Sequence, residues 1–184
     1  MIDHLMLTSP VVASLALLAV AVYIGHRRRL GPTADWVEVV RATTLPIIDP
    51  VIERAVGGAG SQYKLLEREY AGTIAASPEK AERILWEVGC RRNLMAALKT
   101  TESREETGSW VYRGPEVGSE MQLHVMLFEA EQGTDVYAHR EFSSALRWLW
   151  TDPTVLRKHY GAAHYSWTEG EELVHELVDA EHWE

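Results

Sequence analysis

The sequence predicts an α+β domain, an antiparallel meander sheet with helices packed on one face, carried behind a single N-terminal transmembrane helix. Three observations predict it: an uncharged run of 21 residues from Leu5 to Gly25, a strong helix start at Ser77 and Pro78, and two β-rich runs meeting around Gln132 and Gly133. The 184-residue chain divides accordingly into an anchor with a basic stop (1–30), a juxtamembrane linker (31–60) and the α+β domain (61–184).

As a helix rising 1.5 Å per residue, Leu5–Gly25 spans roughly 30 Å, the thickness of a bilayer's hydrocarbon. Thr8 and Ser9 lie near its end, Ser14 can return its hydroxyl to the backbone, and Pro10 falls in the first turns, where a missing amide hydrogen matters least. His26, Arg27, Arg28 and Arg29 follow the run at once, whereas the segment before it holds Asp3 and neither Lys nor Arg. A cleaved leader carries its positive charges ahead of the apolar stretch, so this order reads as an anchor. The expected partner is the lipid bilayer, with the N-terminus outside and the C-terminal domain cytoplasmic.

The linker opens at Gly31 and Pro32 and closes at Gly57–Gly60. Asp35 is placed to cap a short helix through Trp36, Val39 and Val40, which Pro46 and Pro50 are each expected to break or restart. With Arg41 and Arg54 as its cations it gains little from anionic lipid, so a connector packed on the domain is preferred to a surface-lying amphipathic helix.

In the domain, residues 69–75 (EYAGTIA) have the β-branched and aromatic content of a strand. Ser77 caps the next helix, Pro78 takes its first position, Ala81, Ile84, Leu85 and Val88 form one apolar stripe, and Gly89 stops it. Residues 94–101 fit a strand or a short helix, and Ser109–Gly114 reads as a strand. The two runs from Met121 to Phe142 give a hairpin with Gln132 and Gly133 as turn residues. Short helical pieces follow at ALRWLW and DPTVLRKHY, and the chain closes on a helix with Leu173, Val174, Leu177 and Val178 inward.

Composition narrows the function. Residues 1–30 carry three Arg against one Asp, so the remainder holds fifteen basic and twenty-six acidic side chains, a net charge of −11. Such a domain lacks the cationic surface that nucleic acid requires. One cysteine excludes an internal disulfide framework, and Cys90 reads as a small core residue beside Arg91 and Arg92. GGAG is followed by SQYK, without the Lys-Ser or Lys-Thr pair of a phosphate loop.

One constellation follows from the hairpin. With Gln132 and Gly133 in the turn, His124 faces Glu141 and Met126 faces His139, and alternation puts His124, His139 and Glu141 on one face. Two imidazoles and a carboxylate can hold a divalent metal or shuttle protons. The leading expectation is nevertheless a binding module with no metal assigned and its cofactors unknown. Its partner or small ligand is met by an aromatic surface of Trp148, Trp150, Tyr160, Tyr165 and Trp167. A tethered metal-dependent or acid–base enzyme using the His/His/Glu cluster is the alternative. His159 and His164 flank Gly161 in a turn, and His175 and His182 read as surface residues.

Overall fold

The computed structural model describes residues 9–27, 31–32, 36–56, 62–93, 98–101, 104–118, 120–143 and 170–183. These form α1 (Ser9–Arg27), α2 (Trp36–Val56), β1 (Gln62–Lys64), β2 (Tyr70–Ile74), α3 (Pro78–Glu87), β3 (Arg91–Arg92), β4 (Leu98–Thr100), β5 (Gly108–Tyr112), β6 (Met121–Ala130), β7 (Gly133–Phe142) and α4 (Gly170–Leu177). Single 3-10 turns lie at Glu67–Glu69, Pro115–Val117 and Ala180–His182. The expectations for Asp35, for Gly57–Gly60, for the helical pieces within 145–160, and for His159 and His164 fall outside the described residues.

The fold is α+β. Five strands run in the order β2–β7–β6–β5–β3, each antiparallel to its neighbour. The meander is β5–β6–β7; β2 and β3 join its two edges, so the α3 connection between them crosses the sheet. A second sheet pairs β1 with β4 in parallel, Gln62 opposite Leu98. The meander reading does not contain this pair: β4 settles part of the ambiguous stretch as strand, and three residues of β1 are too few for an alternating pattern to show.

Alternation sorts the sheet's residues. Leu123, Val125 and Leu127 of β6, Val136 and Ala138 of β7 and Trp110 of β5 pack with Ala81, Ile84 and Leu85 of α3 and Val174 of α4 into the main core. The stripe read from the sequence is therefore the buried face of α3. Ser77 sits at the cap position, yet its hydroxyl makes no capping bond. It bonds the Glu79 carboxylate instead and holds that group below its ordinary pKa. On the opposite face Met126 and Phe128 are fully buried and cluster with Leu65 and Tyr137. Both faces of the meander are thus closed to solvent.

α1 and α2 pack along one another through Leu18, Leu45 and Ile48, with Val40 beside them. The buried positions of α1, Val11, Ser14, Leu18 and Ala21, recur at three and four; Val12, Leu15, Leu17 and Val20 stay between 43% and 55% exposed. Among the described residues no helix is long and apolar enough to cross a membrane. The uncharged run itself begins four residues ahead of α1, outside those residues. α2 is one helix through Pro46 and Pro50, not the broken pieces expected. The carbonyls the two prolines leave without an amide partner belong to Ala42 and Pro46, both exposed, so the missing bonds fall on the open side of the helix.

A chain of charges joins α2 to the sheet. Arg41, fully buried, bridges Glu38 and Glu106. Arg92 of β3 meets Glu38 at 3.2 Å and Glu82 of α3 at 2.8 Å. Burial pulls the Arg41 guanidinium down, but Glu106 and Glu38 outweigh it and the pKa is raised.

The C-terminal tail closes the outer edge of β2. Trp183 bridges to Ile74, the Ala75 amide donates to the His182 carbonyl at 3.0 Å, and the Trp183 ring lies over Gly72. Gly72 sits in a bulge at φ +132°, and a Cβ there would meet the Trp183 ring at 3.1 Å. Gly72→Ala is therefore expected to destabilise the chain by about 1–3 kcal/mol, read as a lower urea midpoint by far-UV circular dichroism in detergent. An unchanged midpoint would show that the tail does not clamp this edge.

Candidate functional site

The hairpin turns one residue earlier than expected. Glu131 and Gln132 form the turn, and His124 stands opposite His139 while Gln122 stands opposite Glu141. Gly133 is the first residue of β7, not part of the turn. At φ +148°, its Cβ position lies 2.3 Å from the Ile74 carbonyl oxygen, so the glycine admits the β2 backbone. Moving a two-residue turn by one position shifts every pairing by two residues, and the faces are preserved. His124, His139 and Glu141 accordingly share the face turned away from α3 and α4, where each is buried.

The three side chains present one donor atom each within 4.8 Å of one another. Glu141 stands between the rings: His124 Nδ1 lies 3.7 Å from Oε1 and His139 Nε2 3.3 Å from Oε2. The rings meet edge to face, with centroids 5.0 Å apart and planes at 88°. Their remaining nitrogens turn outward to other partners. His139 Nδ1 is 2.7 Å from Glu69 Oε1, and His124 Nε2 is 2.7 Å from Ser109 Oγ.

A further shell orients these groups. The second oxygen of Glu69 accepts the Leu66 amide at 2.7 Å, which pins the carboxylate to the 3-10 turn ahead of β2. Gln122 Nε2 donates to Glu141 Oε1 at 2.5 Å, while Gln122 Oε1 accepts from Arg113 at 2.7 and 3.0 Å. Arg113 Nε also donates to Ser143 Oγ at 3.0 Å. Burial lowers the Arg113 pKa, with Glu141 opposing it. The layer thus collects residues from β5, β6, β7 and the turn before β2 and links them through buried polar contacts.

Sequence reasoning assembled His124, His139 and Glu141 but missed Glu69, Ser109, Gln122 and Arg113. Gln122 was accessible, being a polar residue two before His124 inside an apolar strand. Glu69 carries no local signal, because 70 residues separate it from His139. Trp148, Trp150, Tyr160, Tyr165 and Trp167 lie outside the described residues. His175 is exposed, as expected of a surface residue, and its Nε2 lies 2.7 Å from the Ala71 carbonyl oxygen with its ring 4.1 Å from that of Trp183. Searches against protein-family models, curated proteins and solved structures return no match.

Cys90 belongs to the main core, on the other side of the sheet. Burial pushes its thiol up to about 12, against the pull of Arg91. At pH 8 the folded chain is expected to resist iodoacetamide while the urea-unfolded chain takes up one label, as mass spectrometry will read. Labelling of the folded chain at the unfolded rate would contradict this placement.

Proposed function

We propose that the chain is a single-pass membrane-anchored protein whose C-terminal α+β domain works on the cytoplasmic side as a binding module, for a small ligand or a protein partner. The observation that carries the anchoring is the surface of α1: Val12, Leu15, Leu17 and Val20 project from a helix that, over residues 10–21, buries one narrow stripe. A water-soluble helix of this size turns charged residues outward, whereas Ser9–Gly25 has none to turn. The arginines at 27–29 after the run support the orientation.

Burial favours binding over catalysis at the His/His/Glu layer. His124 is 1% exposed, His139 2% and Glu141 5%. An acid–base enzyme must bring substrate within hydrogen-bond reach of its catalytic group, and these atoms already engage one another. A ligand that fits among them is small.

Full-length chain expressed in membranes is expected to stay in the pellet after alkaline carbonate extraction. External protease is expected to digest the domain in inside-out but not right-side-out vesicles. Leu15→Asp, at the middle of the run, opposes insertion by about 3 kcal/mol and is expected to shift chain into the carbonate supernatant. Release of the unaltered chain by carbonate would defeat the anchoring, and digestion in right-side-out vesicles alone would reverse the orientation.

A further inference from the structure

We propose that the buried layer of β6 and β7 is a metal site, binding one first-row divalent transition ion of the zinc type through His124 Nδ1, His139 Nε2 and Glu141. The inference rests on the binding-module reading and gives that module its ligand. It does not depend on the membrane anchor.

Four features of the layer support it. The first is the donor set. Two imidazole nitrogens and a carboxylate suit zinc and its neighbours, whereas magnesium and calcium take all-oxygen shells and copper(I) takes sulfur. The one thiol of the chain lies in the core on the opposite face.

The second is spacing. An ion held at about 2.1 Å from each of its ligands in tetrahedral geometry separates those ligands by roughly 3.4 Å. The two nitrogens stand 3.7 and 3.3 Å from the Glu141 oxygens they face, and the three donors all fall within 4.8 Å. Small side-chain adjustments close the set.

The third is the arrangement behind the ligands. A metal-bound histidine characteristically gives its other N–H to a carboxylate or another acceptor, which fixes the tautomer and aims the ring. Both rings here are held in that manner: His139 Nδ1 by Glu69 at 2.7 Å, and His124 Nε2 by Ser109 at 2.7 Å. Gln122, itself held by Arg113, does the same for Glu141.

The fourth is position. The two ligand histidines are directly opposed on neighbouring strands, and strands hold side chains more rigidly than loops. Each ring nitrogen of His139 already faces a carboxylate, Glu69 at 2.7 Å and Glu141 at 3.3 Å. Coordination through Nε2 leaves the contact between Nδ1 and Glu69 in place.

The test uses the full-length chain without a polyhistidine tag, purified in detergent, stripped with a chelator and titrated with zinc and with cobalt. One equivalent of each is expected, with cobalt giving the visible d–d bands of a low-coordinate nitrogen and oxygen site. His124→Gln and His139→Gln are each expected to abolish stoichiometric binding while retaining the far-UV circular dichroism of the fold. Glu69 is a positioning residue. Glu69→Gln is expected to weaken affinity about 10–100-fold with the stoichiometry and the cobalt bands retained, a combination that general loosening of the fold would not give. Absence of a stoichiometric ion in the unaltered chain would overturn the proposal, whether or not the histidine variants fold. An unchanged cobalt spectrum in both variants would overturn it as well. Either failure leaves carbonate extraction unaffected, so the anchored module would stand with a different ligand.

Discussion

The line Glu69–His139–Glu141 is the interaction around which the rest of the domain is arranged. An imidazole buried between two carboxylates has a polar partner at each ring nitrogen where water cannot reach it. Glu69 belongs to the turn that leads into β2, and Glu141 to β7 beside His139 itself. The line therefore ties the start of the β2 edge strand to β7. Tyr70, the next residue, continues the seam by pairing with Tyr137, their rings 5.3 Å apart. The same face turns apolar towards the hairpin turn, where Met126 and Phe128 replace Gln122 and His124. One sheet face thus holds a polar half linked by hydrogen bonds and an apolar half that packs.

A second buried network solves a different problem, the attachment of α2. Glu106, Arg41, Glu38, Arg92 and Glu82 alternate in sign, so each cation is flanked by two anions. The guanidinium of Arg92 also lies 4.9 Å from the Trp110 ring centroid, beneath which the main core begins. Desolvating such groups is expensive and the attraction between them roughly offsets it, so the network contributes specificity of placement more than net stability. It holds α2 in one position on the sheet. α1 in turn packs on α2 through Leu18.

Much of this was legible because local signals and global fold agree. The apolar stripe of α3, the strand at β2 and the meander all follow from periodicity. The face shared by His124, His139 and Glu141 was legible for a deeper reason: any two-residue turn pairs even positions of one strand with odd positions of the other, so misplacing the turn left the cluster intact. The turn itself was misread because Gly133 looks like a turn residue. Its glycine answers a neighbour, Ile74 of β2, that is distant in sequence. Glu69 and the β1–β4 pair were illegible for the same reason of long range. Pro46 and Pro50 misled in the other direction: four residues apart, they leave their unpartnered carbonyls on the open side of α2, and the helix continues past them. The acidic excess of the sequence concealed that several of its charges are spent in buried pairs.

These threads converge on the proposal that the paired histidines hold an ion. Zinc K-edge X-ray absorption on the loaded full-length chain tests this most directly, because it counts the imidazoles around the metal. The account predicts two histidine rings and oxygen ligands at about 2.0–2.1 Å, with no sulfur. A spectrum with a sulfur ligand, or with fewer than two imidazoles, would contradict it.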